Sequence, residues 1–277
     1  LFARVAGAVP AEPRFTADGL PGGVLRSLAP GLLTHCFESA SAERDPLVLL
    51  PDLPGGAHDW DPLARRLAAK RKVIVIHWPG GGVSPPLEGA LASDPAAVVQ
   101  AVAAALAAHG VTRFDVGGRG VGALAALDLA AQPGLSVGRI LFMDPPALDQ
   151  GEAPADPLPK PEWHGGHLTA VWSEARDRML YRPWHVRRHA AARQFGPGVD
   201  VQAVHATFRA RIMANGADMA LGGRLLLKAA DLPKRDLSRC TAILREGDPD
   251  VATLSTTLAG SGAAVQVAHY DDLHDTA

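Results

Sequence analysis

The sequence predicts an α/β protein: a mostly parallel central sheet, flanked by helices, with a helical insertion after the sixth strand. Three observations carry this. From Pro46 to Pro146, short apolar runs alternate with helical patterns in the order β-α-β-α-β-α-β, as a parallel sheet with right-handed crossovers produces. The runs PLVLLP (Pro46–Pro51) and KVIVIH (Lys72–His77) are apolar throughout their centres, as strands covered on both faces are. From Ala147 to Asp231 the alternation stops and helical patterns follow one another, after which strand and helix alternate again.

Taken in order, residues 1–20 show no period and read as an N-terminal arm. Val24–Ala29 and Leu32–Glu38, split by Pro30-Gly31, read as an antiparallel pair around a turn. Pro46–Pro51 is a buried strand. DWDPLARRLAAK puts Trp60, Leu63, Leu67 and Ala68 on one helical face, with Asp61 and Pro62 as start signals. Lys72–His77 is the next strand, and Asp94-Pro95 opens an alanine-rich helix running to about His109. Phe114–Ala130, FDVGGRGVGALAALDLA, is a strand, a glycine-rich turn and a helix; Arg139–Met143 is another strand. In the insertion, helical patterns cover His167–Tyr181, Pro183–Phe195, Val201–Ile212 and Leu221–Ala230. Thr241–Leu244, a helix from Asp250 to Leu258, and Ala264–Ala268 complete the order. The expected division is a core of 21–146 and 232–277 with a helical cap of 147–231.

Bulk properties narrow the function. With 277 residues, 47% hydrophobic and 20% charged, the chain has the composition of a soluble globular protein and the length for a large core. A net charge of −2 gives no reason to expect nucleic acid or an anionic membrane as partner. No apolar run approaches the roughly 20 residues of a membrane span. Cys36 and Cys240 read as reduced, buried thiols, with a single disulfide as the alternative, and the expected location is cytoplasmic. LFARVAGAVPAEP is too short and proline-broken for a signal peptide, and the start at Leu1 reads as a trimmed end. No cofactor is expected, and the oligomeric state is not legible.

Five segments resemble the α/β-hydrolase superfamily in their order. LLPDLPGGAHDW (Leu49–Trp60) is similar to the third strand and oxyanion loop, and IHWPGGGVS (Ile76–Ser84) to the loop after the fourth strand. GGRGVGALAALDLA (Gly117–Ala130) is similar to the nucleophile elbow, Gly-x-nucleophile-x-Gly. LREGDPD (Leu244–Asp250) and HYDDLHD (His269–Asp275) are similar to the acid and histidine segments. The resemblance covers nearly the whole chain and implies that fold, capped by the helical insertion. The departures are chemical. Pro51-Asp52 stands where His-Gly is usual, His77 where Asp is usual, and Gly120 in the nucleophile slot, with no side chain.

What the resemblance implies for the site is therefore partial. The backbone amides of Leu53 and Val121 map to the oxyanion hole and survive the loss of a nucleophile; the alternative is that Gly118, Gly120 and Gly122 only permit a tight turn and close helix–sheet packing. His274 maps to the general base and Asp248 to the acid that orients it, with His269 and Asp250 as competitors. Arg119 flanks the slot and suits an anion at the mouth, or is solvated. Asp52, beside the oxyanion loop, is expected to point away or to serve as an acid. Asp144 either replaces the missing acid or ends its strand, and rescue by Ser84 is disfavoured. The pairs His164/His167 and His185/His189 lack a completing ligand, so no metal is expected. The insertion's tryptophans, with Phe195 and Phe208, read most simply as the cap's own core, and Trp172 and Trp184 are the candidates to line an apolar substrate pocket as well if the cap follows the family pattern.

The reading that follows is an enzyme acting on a small, fairly apolar carbonyl or ester compound, through an Asp248–His274 dyad and the amide hole, without a serine. Hydrolysis and lyase cleavage stay open. The alternatives are a non-catalytic ligand-binding protein, or a serine hydrolase inactivated at Gly120.

Overall fold

The computed structural model describes residues 23–29, 32–39, 44–53, 55–56, 59–79, 84, 94–148, 160–194, 201–214 and 216–268. Eight strands are β1 (Val24–Ala29), β2 (Leu32–Phe37), β3 (Leu47–Leu50), β4 (Val73–Ile76), β5 (Arg113–Arg119), β6 (Ser136–Met143), β7 (Cys240–Arg245) and β8 (Ala264–Ala268). They form one sheet in the order β1-β2-β4-β3-β5-β6-β7-β8. β2 runs antiparallel to β1 and β4; every other pairing is parallel. The anticipated hairpin thus forms one edge of an otherwise parallel sheet.

The two continuously apolar runs, β3 and β4, feed both faces of the sheet. Leu47, Leu49, Val73 and Val75 join Phe37 and Trp60 on one side, where α1 (Asp61–Ala68) packs through Leu63 and Ala64. Val48, Leu50, Ile74 and Ile76 join a larger core on the other side. That core receives α2 (Pro95–Ala108), α3 (Val121–Ala130), α6 (Gly216–Leu227) and α7 (Val251–Gly260). Burying such a side chain completely contributes roughly 1.5–3 kcal/mol, which is why a strand covered on both faces drops the polar alternation of an exposed one. α3 is apolar nearly all round and correspondingly buried, while α2 starts where Asp94 Oδ1 accepts the Ala96 N–H at 3.0 Å. Cys36 and Cys240 are free and buried.

Between β6 and β7 lie α4 (Gly166–Leu180), α5 (Val201–Met213) and α6. Arg211, almost completely buried, donates through Nε to both Glu174 oxygens (2.9 and 3.0 Å), fixing α5 on α4. One helix anticipated from the sequence is absent. Over 183–194 the chain forms turns and a short 3-10 segment, His189–Ala191. Tyr181 bridges to Ala192; the Arg182 N–H donates to Ala191 O (2.8 Å) and the Arg193 N–H to Leu180 O (2.9 Å). This narrow loop carries Arg182 and Arg193 into a buried ion cluster, an outcome that outweighs helical propensity. The last insertion helix starts at Gly216, earlier than its period suggests, and passes into a 3-10 stretch over Lys228–Lys234. Residues 1–20 lie outside the described residues.

Candidate functional site

The site is built where the C-terminal ends of β3 and β5 meet the start of α3. Gly120 lies between β5 and α3 at φ 54°, ψ −125°, a left-handed conformation that disfavours any side chain. The two outer glycines of the pattern serve contact. A Cβ on Gly118 would collide with the Gly122 carbonyl, and one on Gly122 with the Leu50 carbonyl. Their bareness lets α3 close onto β3 and brings the Val121 amide to the end of that strand. Trp78 pins the same strand end, donating from its indole Nε1 to Pro51 O at 2.9 Å.

Asp52 occupies the space that an elbow side chain would fill. A Cβ on Gly120 would collide with the Asp52 carboxyl carbon and both its oxygens. The amides of Leu53 and Val121, which the resemblance maps to an oxyanion hole, both donate to one atom, Asp52 Oδ1, 2.9 Å from each nitrogen. The expectation that Asp52 points away is therefore corrected. The reason is reciprocal: Gly120 leaves a void, and two otherwise unpaired N–H groups, Val121 at the start of α3 and Leu53 in the loop after β3, attract a carboxylate. Oδ2 accepts no hydrogen bond among the described residues. Burial pushes the Asp52 pKa above its ordinary value, against the opposing pull of the Val121 N–H, Arg178, the Leu53 N–H and Arg119.

A second group of charges lies at the ends of β6 and β7. Asp144, at φ 46°, meets Arg182 Nη1 at 2.9 Å, Arg193 Nη1 at 3.8 Å and Arg245 Nη2 at 4.0 Å. Arg182 also donates to Asp250 Oδ1 (2.7 Å) and Pro145 O (2.5 Å) and lies 3.4 Å from Asp248 Oδ2. Burial alone would raise the Asp144 pKa, but Arg193, Arg245, Arg182 and Arg119 together hold it well below the carboxylate range. Asp248 goes the other way: burial, reinforced by Asp144, pushes it up to about 6 against Arg193, Arg182 and Arg245. Its Oδ1 accepts no hydrogen bond, with Arg193 Nη1 3.4 Å away. His274 and the competing His269 lie outside the described residues. Asp250 Oδ1 accepts from Arg182, while Asp250 Oδ2, like Asp248 Oδ1, is buried without a hydrogen-bond partner among the described residues, so both acids keep an oxygen that could orient a base.

A cavity of about 380 Å³ joins the two ends, lined by Asp52, Leu53, Arg119, Val121, Asp144 and Trp184 among others. Trp184 reaches it as anticipated and lies under the Arg178 guanidinium, 4.5 Å from its carbon to the ring centre. Trp172 does not line it. It is 38% exposed and packs edge-on against Phe208, ring centres 5.3 Å apart. It shares a helical stripe with the lining residue Met179 but lies two turns, about 10 Å, further up α4. The lining also departs from the apolar expectation, because Arg119, Arg178, Arg182, Arg193 and Arg245 all face the cavity. Sequence reasoning missed the last four. The legible signal was Arg245, a charge at the end of the otherwise apolar strand CTAILR. Arg193 sat inside an apparent helix and Arg182 at the junction of two.

Other anticipated residues have local roles. The buried Ser84 hydroxyl accepts from Leu33 N (3.0 Å) and donates to His77 O (3.2 Å), tying its loop to β2. His164 and His167 accept backbone N–H groups of Gly166 and Glu162 through Nδ1, at 3.1 and 3.0 Å, around the start of α4. Among the described residues no group of three or more His, Cys, Asp or Glu is placed to hold a metal, and no helix is long and apolar enough to cross a membrane.

Known proteins agree with this architecture. A family model described as alpha/beta hydrolase fold matches residues 45–171, from β3 into the insertion. A search of curated proteins finds no match. Among solved structures the chain is similar to MenH from S. aureus, with TM-score 0.61, 12% identity and coverage of 88% of this chain and 93% of that one. It is similar to a structure from a study of carboxylesterases of the ammonia-oxidizing Nitrososphaera gargenis, with TM-score 0.59, 12% identity and coverage of 92% and 93%. A hydrolase from Pseudomonas aeruginosa gives TM-score 0.55, 19% identity and coverage of 91% of each chain. With the sheet order, the turn at Gly120 and the insertion after β6, these matches establish that the chain has the α/β-hydrolase fold.

Proposed function

We propose that the protein is a hydrolase in which Asp52, rather than an elbow side chain, supplies the reacting group. The observation that carries this is the Asp52 carboxylate over Gly120, with Oδ1 held by the Leu53 and Val121 amides and Oδ2 unbonded beside the cavity. With both amides engaged by Asp52, a substrate carbonyl has no oxyanion donors of its own. The arrangement suits displacement at a saturated carbon instead. Asp52 Oδ2 attacks a carbon bearing a leaving group, the carbon–leaving-group bond breaks, and its electron pair departs with the leaving group, as with a halide. The product is an aspartyl ester whose carbonyl oxygen, Oδ1, already lies between two N–H donors. Water then attacks Cγ of Asp52, the developing oxyanion on Oδ1 is stabilised in place, and the alcohol leaves as the carboxylate re-forms.

His274 is the proposed base that takes the water proton, oriented by Asp248, whose unbonded Oδ1 suits an imidazole N–H. The helical insertion, 147–231, acts as the cap over a small-molecule substrate. Burial makes the Asp52 carboxylate more basic, and so more nucleophilic when ionised; turnover therefore rises with pH through its raised pKa. The test is turnover of short alkyl halides, with activated esters beside them, in ¹⁸O-water. Halide hydrolysis with ¹⁸O entering Asp52, lost in Asp52→Asn, is the expected result. Ester hydrolysis that survives Asp52→Asn, or turnover with no label in Asp52, sinks the reading. The self-satisfied amide pair also favours a non-catalytic ligand-binding protein, and inertness toward every substrate would move the assignment there.

A further inference from the structure

The arginines at the Asp144 end of the cavity have more to bind than the protein gives them. Four guanidiniums (Arg119, Arg182, Arg193 and Arg245) gather around three carboxylates (Asp144, Asp248 and Asp250). Arg182 is fully used, by Asp144, Asp250 and Pro145 O. Arg193 is not. Its side chain is 8% exposed, its Nη1 lies 3.4 and 3.8 Å from the nearest carboxylates, beyond good hydrogen-bond length, and its buried Nε has no hydrogen-bond partner. Arg119 lines the same cavity and makes no side-chain hydrogen bond or ion pair among the described residues, although its charge acts on both Asp144 and Asp52. That Nε is shut off from the cavity, so what the cavity offers an oxygen anion is the rest of the Arg193 guanidinium, only loosely matched by Asp144 and Asp248, beside that of Arg119.

We infer that the substrate carries a carboxylate, seated at Arg119 and Arg193, with its reacting carbon turned toward Asp52. Two guanidiniums facing one cavity suit a carboxylate, and a cavity of about 380 Å³ suits a small acid. Asp52 and Asp59 also line the cavity. Their negative charge disfavours an anion near them and so sets the orientation, with the carboxylate away from the carbon that Asp52 attacks. This narrows the substrate class of the proposed hydrolase and rests on that reading for its orientation, although the anion subsite itself does not.

The test is calorimetric binding of benzoate, benzamide and phenyl phosphate to the whole protein. Benzoate is expected to bind at least tenfold more tightly than benzamide. Arg119→Gln should remove that preference by weakening benzoate about tenfold while leaving benzamide unchanged. Arg193→Lys, which keeps the charge and loses the planar guanidinium fork, should weaken benzoate several-fold. Equal binding of acid and amide, no binding of benzoate, or indifference to both variants overturns the inference; tighter binding of phenyl phosphate reassigns the subsite to phosphate and overturns it as stated. Asp52→Asn is expected to keep the benzoate preference. A preserved preference without covalent labelling of Asp52 therefore removes only the catalytic reading, and labelling by neutral substrates without any acid preference removes only this one.

Discussion

Asp52 and Asp144 are the same residue type at two ends of one cavity, and their surroundings treat them oppositely. Asp52 is met by two neutral amides, with guanidiniums only at a distance, and burial carries its pKa up. Asp144 is ringed by Arg182, Arg193 and Arg245, and their charge overrides the same burial and drives its pKa down. Two dipoles orient a carboxylate without neutralising it; three cations neutralise it and lock it. The first arrangement leaves an oxygen able to react, whereas the second bolts β6, β7 and the 182–194 loop together.

Exchanging each carboxylate for its amide breaks the comparison most directly. Asp52→Asn should cut turnover about a thousandfold or more, roughly 4 kcal/mol in the activation barrier, measured as kcat on a halide substrate. Its melting temperature should hold or rise, because the amide oxygen still accepts both N–H groups. Asp144→Asn should do the reverse, costing about 3–5 kcal/mol of stability in urea unfolding by leaving buried guanidiniums without their common anion. Asn tolerates the φ of 46°, so that loss is one of charge rather than backbone. Smaller is Gly120→Ser. The new side chain needs the space of the Asp52 carboxylate and a positive φ, and should cost about 2–4 kcal/mol without creating esterase activity. A serine variant that is stable and hydrolyses esters would show that Asp52 yields its place.

The smallest effect sharpens the contrast through pH. The folded pKa of Asp248, about 6, lies above its unfolded value, so the folded protein binds more protons between about pH 4 and 6 and loses stability as pH rises through that window. Asp144, depressed, contributes stability present above pH 4, lost only when acid reaches its low folded pKa. Asp248→Asn should therefore gain on the wild type from pH 4 to 7, by about 1–3 kcal/mol, seen as a growing difference in melting temperature. A constant difference across that range would place the ionisation elsewhere.

The sheet was legible because burial on both faces leaves a direct trace: VIVI and LVLL admit no polar residue. Gly118 and Gly122 were legible as contact points because the strand–turn–helix pattern needs them. The direction of Asp52 was not, since it depends on a void at Gly120 that exists only after β3 and α3 meet. The Arg182–Arg193 loop was hidden for a related reason: its partners lie at the ends of β6 and β7, and without them the segment carries a helical period. Trp184 reaches the cavity from the 182–194 loop, while Trp172 sits on α4 about two turns from the lining residue Met179, and periodicity encodes neither placement.

The collision between any Gly120 side chain and Asp52 also bears on how such a site arises by descent. Moving between this arrangement and a serine elbow takes two substitutions, one at each position. Serine at 120 with Asp52 in place is crowded, while a bare residue at 52 beside Gly120 leaves two amides facing an empty slot. Both single-step intermediates are worse than either end, so the two positions are epistatic and a lineage that has crossed that valley has no gradual way back.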